Sequence, residues 1–406
     1  MQLKDVATVK GGKRLPKSDT LVGVKTNHPY IRIRDMYQSY PLEINDKFEY
    51  ITEDTHQKIK QYIVEEGDVI IAVVGNTIGL VSLIGKSLNG ANLTENCDKI
   101  VNLHNYDNRF LYYFLKSQEG QDEIRKGIVG SSQPKLPIYN IERFEIPDIS
   151  IDIQMKIVEI IEGIDKKIKT NEEINKNLEQ QAQAIFKSWF VDFEPFGGVQ
   201  PSEMQFIPLQ ELCKVVTKGT TPTTLGKSFT SSGINFIKAE SILDNHSIDS
   251  SKFAFIDEET NALLKRSVIK ANDIVFTIAG TLGRFAMVDN SVLPANTNQA
   301  VAIIRPNENK VTPAYLYSFF IGNWHNEYYS KRIQQAVQAN LSLTTIKSLP
   351  IAVLNNTTMS NYDELVSPLF ALMKNNEEEN RRLSKLRDTL LPKLMSGELN
   401  ISDIDL

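Results

Sequence analysis

Between Asp152 and Phe190, apolar residues recur at spacings of four and three: Ile157, Ile161, Ile164, Ile168, then Leu178, Ala182, Ile185 and Trp189. That spacing lays one apolar stripe along a helix and predicts a coiled-coil seam. Two seam positions interrupt the stripe, and both are asparagine, Asn171 and Asn175. A stretch near the C terminus repeats the arrangement with Val366, Leu369, Met373, Asn376, Asn380, Leu383, Leu390 and Leu394, although Arg387 stands where Ala182 stood. A buried seam asparagine costs stability and fixes register, because any slipped pairing leaves its amide unsatisfied. The matched pairs predict two long antiparallel helices whose asparagines meet at the centre under a pseudo-twofold axis. Two alternatives stay open: each helix packs only on its own domain, or the pair joins two copies of the chain.

The same offset, about 205 residues, relates the rest of the chain to itself, and such self-similarity governs any further reading. Tyr30 to Met36 matches Phe236 to Ile242, and Glu66 to Gly75 matches Ala271 to Gly280. Ala91-Asn92 matches Ala295-Asn296, and Gln133 to Leu136 matches Gln338 to Leu341. Apolar positions repeat while many polar ones change, so the scaffold is duplicated and its surface chemistry has diverged. Val69 to Val74 and Ile274 to Ala279 are continuous apolar runs ending at glycine, the pattern of buried strands. Helices should begin at Asp107 and at Thr312-Pro313, where aspartate and threonine cap well and proline suits the first helical position. Phe110, Leu111, Phe114 and Leu115, like Tyr315, Leu316, Phe319 and Phe320, read as core rather than as platforms for stacked bases. The fold class is α+β, with two similar mixed α/β domains at 1–150 and 201–356, a central spacer helix in 151–200 and a C-terminal one in 357–406.

A length of 406 residues suffices for two or three cores. No apolar stretch approaches the roughly 20 residues of a membrane span, and Met1-Gln2-Leu3-Lys4-Asp5 opens no signal peptide. Cys97 and Cys213 give neither a disulfide framework nor metal spacing. A cytoplasmic protein with no membrane partner is expected.

A net charge of −5 argues against a nucleic-acid partner until it is resolved by segment. Residues 1–150 carry 19 basic and 20 acidic groups and residues 201–356 carry 14 and 12, whereas each helical stretch carries 6 and 9. The acid excess sits mainly in the helices, which leaves each globular block free to present a basic face.

Four loop positions recur in both copies, and loops are where recognition residues sit. The first is the glycine-bearing loop with Lys10, Gly11, Lys13 and Arg14, against Lys218, Thr220 and Thr221, where small residues would allow close backbone approach. The second is a strand with Arg32 and Arg34 against Lys238 and Glu240; arginine suits guanine and glutamate the cytosine amino group. The third is Asn76 against Thr281. The fourth holds Ser131, Ser132, Gln133 and Lys135 against Gln338 and Asn340, with amides and hydroxyls able to address bases or phosphates. Each could instead be a turn satisfied by its own side chains. Unlike side chains at equivalent loops would read unlike half-sites. A helix of this length spans roughly 50 to 55 Å, about 15 base pairs of duplex, and would hold two readers apart across a gap. Inserting four residues into one long helix, about 6 Å, should widen that gap by about one or two base pairs.

Catalytic signatures are missing. No phosphate-binding G-x-x-x-x-G-K-[ST] loop occurs, since Gly75 and Gly79 lack the following lysine, and the five histidines have no ligand spacing. Asp148 and Lys156 resemble part of a nuclease set without its second carboxylate, and no aromatic-ended Asn-Pro-Pro motif of an amino-methyltransferase is found. The chain is expected to read without acting.

This layout resembles the specificity (HsdS-type) subunits of type I restriction-modification systems. The resemblance covers essentially the whole chain. It rests on the reader-helix-reader-helix order, the Glu66-Gly67-Asp68-Val69 turn into a strand, the Gln133 to Ile141 segment before Ile146-Pro147, and the helix exit from Phe186 to Phe196. It implies that each block is a target-recognition domain for one half of a bipartite double-stranded DNA sequence, and that the helices dock two methyltransferase subunits. Those partners would bind S-adenosylmethionine and methylate a flipped adenine at N6, and motor-nuclease subunits would join through them. No cofactor or metal is expected on this chain. Trp189, Phe190, Phe193 and Phe196 become candidates for partner-subunit binding, or else anchors of the linker; the second helix exit, Leu391 to Gly397, lacks those aromatics. The competing reading is a non-catalytic duplicated scaffold that binds proteins.

Overall fold

Val69–Ala72 and Ile274–Thr277, the apolar runs that the sequence marks as buried strands, occupy the same interior place in two four-stranded antiparallel sheets. In the first, the order is Thr8–Gly11, Cys97–Val101, Val69–Ala72, Val81–Leu83; in the second, Cys213–Lys218, Val301–Pro306, Ile274–Thr277, Phe285–Met287. Alternate residues of a strand face opposite sides of its sheet. Val69 and Ile71 pack with the helix Asn108–Lys116, whereas Ile70 and Ala72 pack with Ile31, Leu42 and Leu93. Both faces are covered, so the run is apolar throughout instead of alternating. The second copy behaves alike: Ile274 and Phe276 join the cluster of the helix Pro313–Ile321, and Val275 joins Ile237 and Ala286.

The computed structural model describes residues 1–37, 40–325, 328 and 341–399, and it divides into two units, Met1–Lys169 with Asn380–Leu406, and Thr170–Glu379. Both short helices start where the sequence places their caps. The Asp107 carboxylate accepts from the Arg109 and Phe110 amides, and the Thr312 hydroxyl accepts from the Tyr315 amide. The aspartate of the Glu66-Gly67-Asp68-Val69 turn serves the backbone: Asp68 accepts from the Glu65 amide at 2.9 Å, and its counterpart Asp273 accepts from the Lys270 amide at 2.8 Å.

In the second unit this aspartate also carries a buried ion pair. Fully buried Asp273 accepts from Arg305 Nε at 2.7 Å and from Nη2 at 2.6 Å, while Nη2 also donates to the Val268 carbonyl. Removing one partner of such a pair leaves an uncompensated buried charge. Arg305→Met is therefore expected to destabilise the second unit by about 3 kcal/mol, read from denaturant unfolding. In the first unit Lys99 stands 3.9 Å from Asp68, and Lys99→Met should cost clearly less in the same measurement.

The two seam patterns are single helices, Ile151–Phe190 and Asn356–Met395. Within each unit they run antiparallel. In the second unit the Asn376 amide donates to Asn175 Oδ1 at 2.7 Å, Asn175 donates to the Met373 carbonyl at 3.1 Å, and Asn171 donates to Glu379 at 2.7 Å. In the first unit Asn380 donates to the Ile168 carbonyl at 3.3 Å. Asn380 and Ile168 are the 205-offset equivalents of Asn175 and Met373, so one asparagine-to-carbonyl bond is made twice. Arg387, where the first seam has Ala182, reaches Asp165 at 2.8 Å.

Each long helix ends inside a core. Phe186 and Phe190 are buried in the second unit among Tyr315 and Tyr362, with Trp189, Phe193 and Phe196 packed on the same cluster. At the equivalent positions of the other helix, Leu391, Leu394 and Met395 are buried in the first unit's core beside Ile157 and Ile161. Trp189, Phe190, Phe193 and Phe196 thus anchor the linker to this unit, the alternative role read for them, while Trp189, Phe193 and Phe196 stay partly exposed. The exit lacking aromatics serves its unit in the same way, with aliphatic side chains.

Candidate nucleic-acid interface

In the first unit, backbone hydrogen bonds tie the candidate loops into one tract. The hairpin tip Ser131 to Gln133 is exposed and closed by reciprocal bonds of 2.9 Å between Val129 and Lys135. Its next residue, Pro134, accepts from the Gly75 amide at 3.0 Å, and Leu136 donates to Val73 at 2.9 Å, so the hairpin abuts the turn bearing exposed Asn76. Val73 in turn donates to Asn96 at 2.9 Å. The segment around Asn96 holds the first loop: Gly12 donates to Cys97 at 3.0 Å and Lys13 to Leu93 at 2.8 Å. Arg32 follows Ile31, whose carbonyl accepts from Thr94 at 3.1 Å.

Among the described residues, the second unit repeats four of these bonds. Leu341 donates to Ile278 at 3.0 Å, Ile278 to Ala300 at 2.8 Å, Gly219 to Val301 at 3.3 Å and Thr220 to Thr297 at 3.2 Å. Lys218 and Thr281 are exposed on it. Gln338 and Asn340 lie outside the described residues.

The structure shows what the small residues approach and corrects one reading of these loops. The close backbone approach is to the protein's own chain: a Cβ on Gly12 would stand 1.9 Å from the Thr94 carbonyl oxygen, and one on Gly219 1.9 Å from that of Thr297. Gly11, equally, is the last residue of an edge strand, paired with Asp98. Arg32 and Arg34 do not share a strand, which ends at Ile31; Arg34 lies in the 3-10 turn Ile33–Tyr37. Both guanidiniums converge on Glu49, Arg34 at 2.7 Å, so a local carboxylate already occupies groups read as contacts to guanine. Lys238 lies 3.8 Å from Glu240 and 5.1 Å from the ring centroid of Phe229.

Other side chains in the tract are ones the sequence did not single out. Glu95 takes the Arg14 Nε hydrogen bond at 2.6 Å, and Gln299 takes that of the Thr221 hydroxyl. Arg266 Nη2 donates to the Thr220 hydroxyl at 3.3 Å, and Lys13 lies 5.4 Å from the ring centroid of Tyr62. The only sequence signal for Glu95 and Gln299 was the matched Ala91-Asn92 and Ala295-Asn296, which marks the strand before each without showing where its loop goes. Burial tends to raise the Glu95 carboxyl, but hydrogen bonds from Arg14, its own backbone amide and Thr94, with the Arg14 charge, together outweigh it and hold Glu95 below the usual range.

The two units differ in packing too. A cleft of about 570 Å³ opens in the first beside Asn76, Tyr112 and Lys116. In the second, Phe285 stands in place of Val81 with His246 stacked on it at 4.1 Å, and Arg284 is paired with Asp244 at 2.6 Å.

Two carboxyls under the first tract are displaced by burial: Asp35 is pushed up to about 6 and Asp98 to about 7. Their folded values lie above the unfolded one, so the stability they contribute is fully present below pH 4 and lost as pH rises through 6 and 7. The first unit should melt at a higher temperature at pH 5 than at pH 8, and Asp98→Asn should flatten that difference. A melting temperature rising from pH 5 to 8 in the parent and unchanged by Asp98→Asn would contradict this.

Among the described residues, no group of three or more His, Cys, Asp or Glu is placed to hold a metal ion, and no helix is long and apolar enough to cross a membrane.

Comparison with known proteins agrees with this architecture. A family model described as the type I restriction modification DNA specificity domain matches residues 1–180 and 201–354. The chain is 24% identical over 422 aligned residues to the type I restriction enzyme MjaIX specificity subunit of Methanocaldococcus jannaschii, covering 99% of this chain and 94% of that one. It is 25% identical over 366 residues to the HindI specificity subunit of Haemophilus influenzae, covering 71% and 77%. The crystal structure of the type I restriction-modification S subunit from M. genitalium shares the fold, with a TM-score of 0.56 at 16% identity over 97% of this chain and 95% of that one. Since the family model spans both copies of the repeat, the chain belongs to the type I restriction-modification DNA specificity family.

Proposed function

We propose that this chain reads a bipartite, gapped and asymmetric double-stranded DNA target, one half-site per repeat, as the non-catalytic specificity subunit of a cytoplasmic complex. Two methyltransferase subunits dock on it along the long helices, and motor-nuclease subunits join through them. S-adenosylmethionine belongs to the methyltransferases, which supply the adenine-N6 chemistry, while this chain selects the sequence. The observation that carries the reading is the duplicated backbone frame: four matched hydrogen bonds hold equivalent segments whose side chains differ, as two readers of unlike sequence require.

The test is selection from random duplex DNA with the chain alone and with its methyltransferase. A split, asymmetric motif recovered from the complex, with affinity falling steeply as salt rises, is the expected result. Salt-insensitive protein binding with no DNA enrichment would leave the duplicated scaffold as the better account.

A further inference from the structure

The first residue beyond the close glycine contact is handled differently in the two repeats. Gly12 and Gly219 donate to Cys97 and Val301, and Lys13 and Thr220 to Leu93 and Thr297, so Arg14 and Thr221 stand at equivalent places. Each meets a side chain from the loop after the equivalent strand. Arg14 donates through Nε to Glu95, and Thr221 donates through its hydroxyl to Gln299. Glu95 and Gln299 are themselves equivalents, at an offset of 204 from one another. One structural position has thus been refitted with a different interacting pair.

The geometry suits each pair to a different base. The Arg14 side chain is 79% exposed, and its hydrogen bond to Glu95 uses Nε. That bond holds the guanidinium by its Nε edge and leaves the end-on pair of terminal N–H groups available, the donor fork that matches guanine O6 and N7. In the second repeat Gln299 is exposed, and the Thr221 hydroxyl fixes the rotation of its amide. A glutamine amide held edge-on matches adenine N6 and N7.

We infer that Arg14 with Glu95 and Gln299 with Thr221 are the corresponding specificity determinants of the two repeats, the first reading a guanine and the second an adenine. Arg14 and Gln299 touch the bases, and Glu95 and Thr221 are positioning residues. This rests on the specificity-subunit reading above.

The test uses the full chain assembled with its methyltransferase and compares motifs selected from random duplex DNA. Arg14→Gln should lower discrimination at one guanine of one half-site on the order of ten- to a hundredfold and leave the other half-site unchanged. Gln299→Leu should do the same at one adenine of the other half-site. Glu95→Gln should weaken the guanine preference without changing thermal unfolding or non-specific affinity, and Glu95→Asp should restore part of it. The inference is overturned if the parent motif is recovered but Arg14→Gln and Gln299→Leu leave every position intact, or weaken all sequences uniformly as loss of a phosphate contact would. A parent complex that selects no sequence at all overturns the specificity reading itself, and this inference with it.

Discussion

Ending the chain after Asp388 is expected to unfold the first repeat, although that repeat's whole sheet lies nearly 300 residues upstream. The truncation removes Leu391, Leu394 and Met395, all buried in the core that contains Val69, Ile71, Phe110 and Ile157. Losing one such side chain to a cavity costs about 2–5 kcal/mol, so three together approach the entire stability of an ordinary domain, about 5–15 kcal/mol. Amide exchange in the full-length and shortened chains checks this. Strand Val69–Ala72 should lose its protection, and strand Ile274–Thr277 should keep it, because the second unit takes only the part of that helix up to Glu379. Protection of Val69–Ala72 that survives the truncation would show that the helix end merely covers the surface. The double variant Leu391→Ala with Leu394→Ala should reproduce most of the loss with the chain at full length.

Lengthening both long helices by three heptads at matched positions is the second change of large expected effect. Whole heptads preserve the seam, and 21 residues add about 31 Å, close to one turn of duplex. If the helices set the spacing of the half-sites, the preferred gap should grow by about nine or ten base pairs with both half-sites unchanged. A single added heptad, about 10 Å, corresponds to about three base pairs and turns one half-site roughly a third of the way around the duplex, so binding should weaken at every gap length. Sequencing of the sites methylated by the assembled complex reads both outcomes. An unchanged gap, or altered half-sites, would remove the helices from any role in spacing.

The structure also changes which insertion is informative. Four residues added to one helix, the simplest test from the sequence, would misalign Asn376 with Asn175 and Asn380 with the Ile168 carbonyl. Asn376 is buried, and a buried amide left unsatisfied costs about 1–3 kcal/mol. Such a variant should lose stability before it reports on spacing, which is why both helices must be lengthened together.

Much of the fold was legible because its signals are local and periodic. The 3.5-residue stripe gave the two long helices and their seam asparagines, the capping residues Asp107 and Thr312 gave the starts of two others, and the constant offset gave the duplication. Each depends on residues a few positions apart, or on comparing the chain with itself. What lay beyond reach was the identity of each partner. Apolar patterning marks Phe190 and Leu394 for burial without saying which core receives them. A glycine at 12 or 219 announces close approach, and only the folded chain shows that the neighbour is the carbonyl of Thr94 or Thr297. Arg32 and Arg34 read as free cations until Glu49 is brought beside them, and the matched Ala91-Asn92 and Ala295-Asn296 give Glu95 and Gln299 no partner until their loop is folded back against Arg14 and Thr221. Backbone geometry and solvent exclusion act along neighbouring residues, so the sequence alone settled the elements and their repetition. Hydrogen-bond and charge partners are chosen among groups tens of residues apart, and only the tertiary structure could decide them.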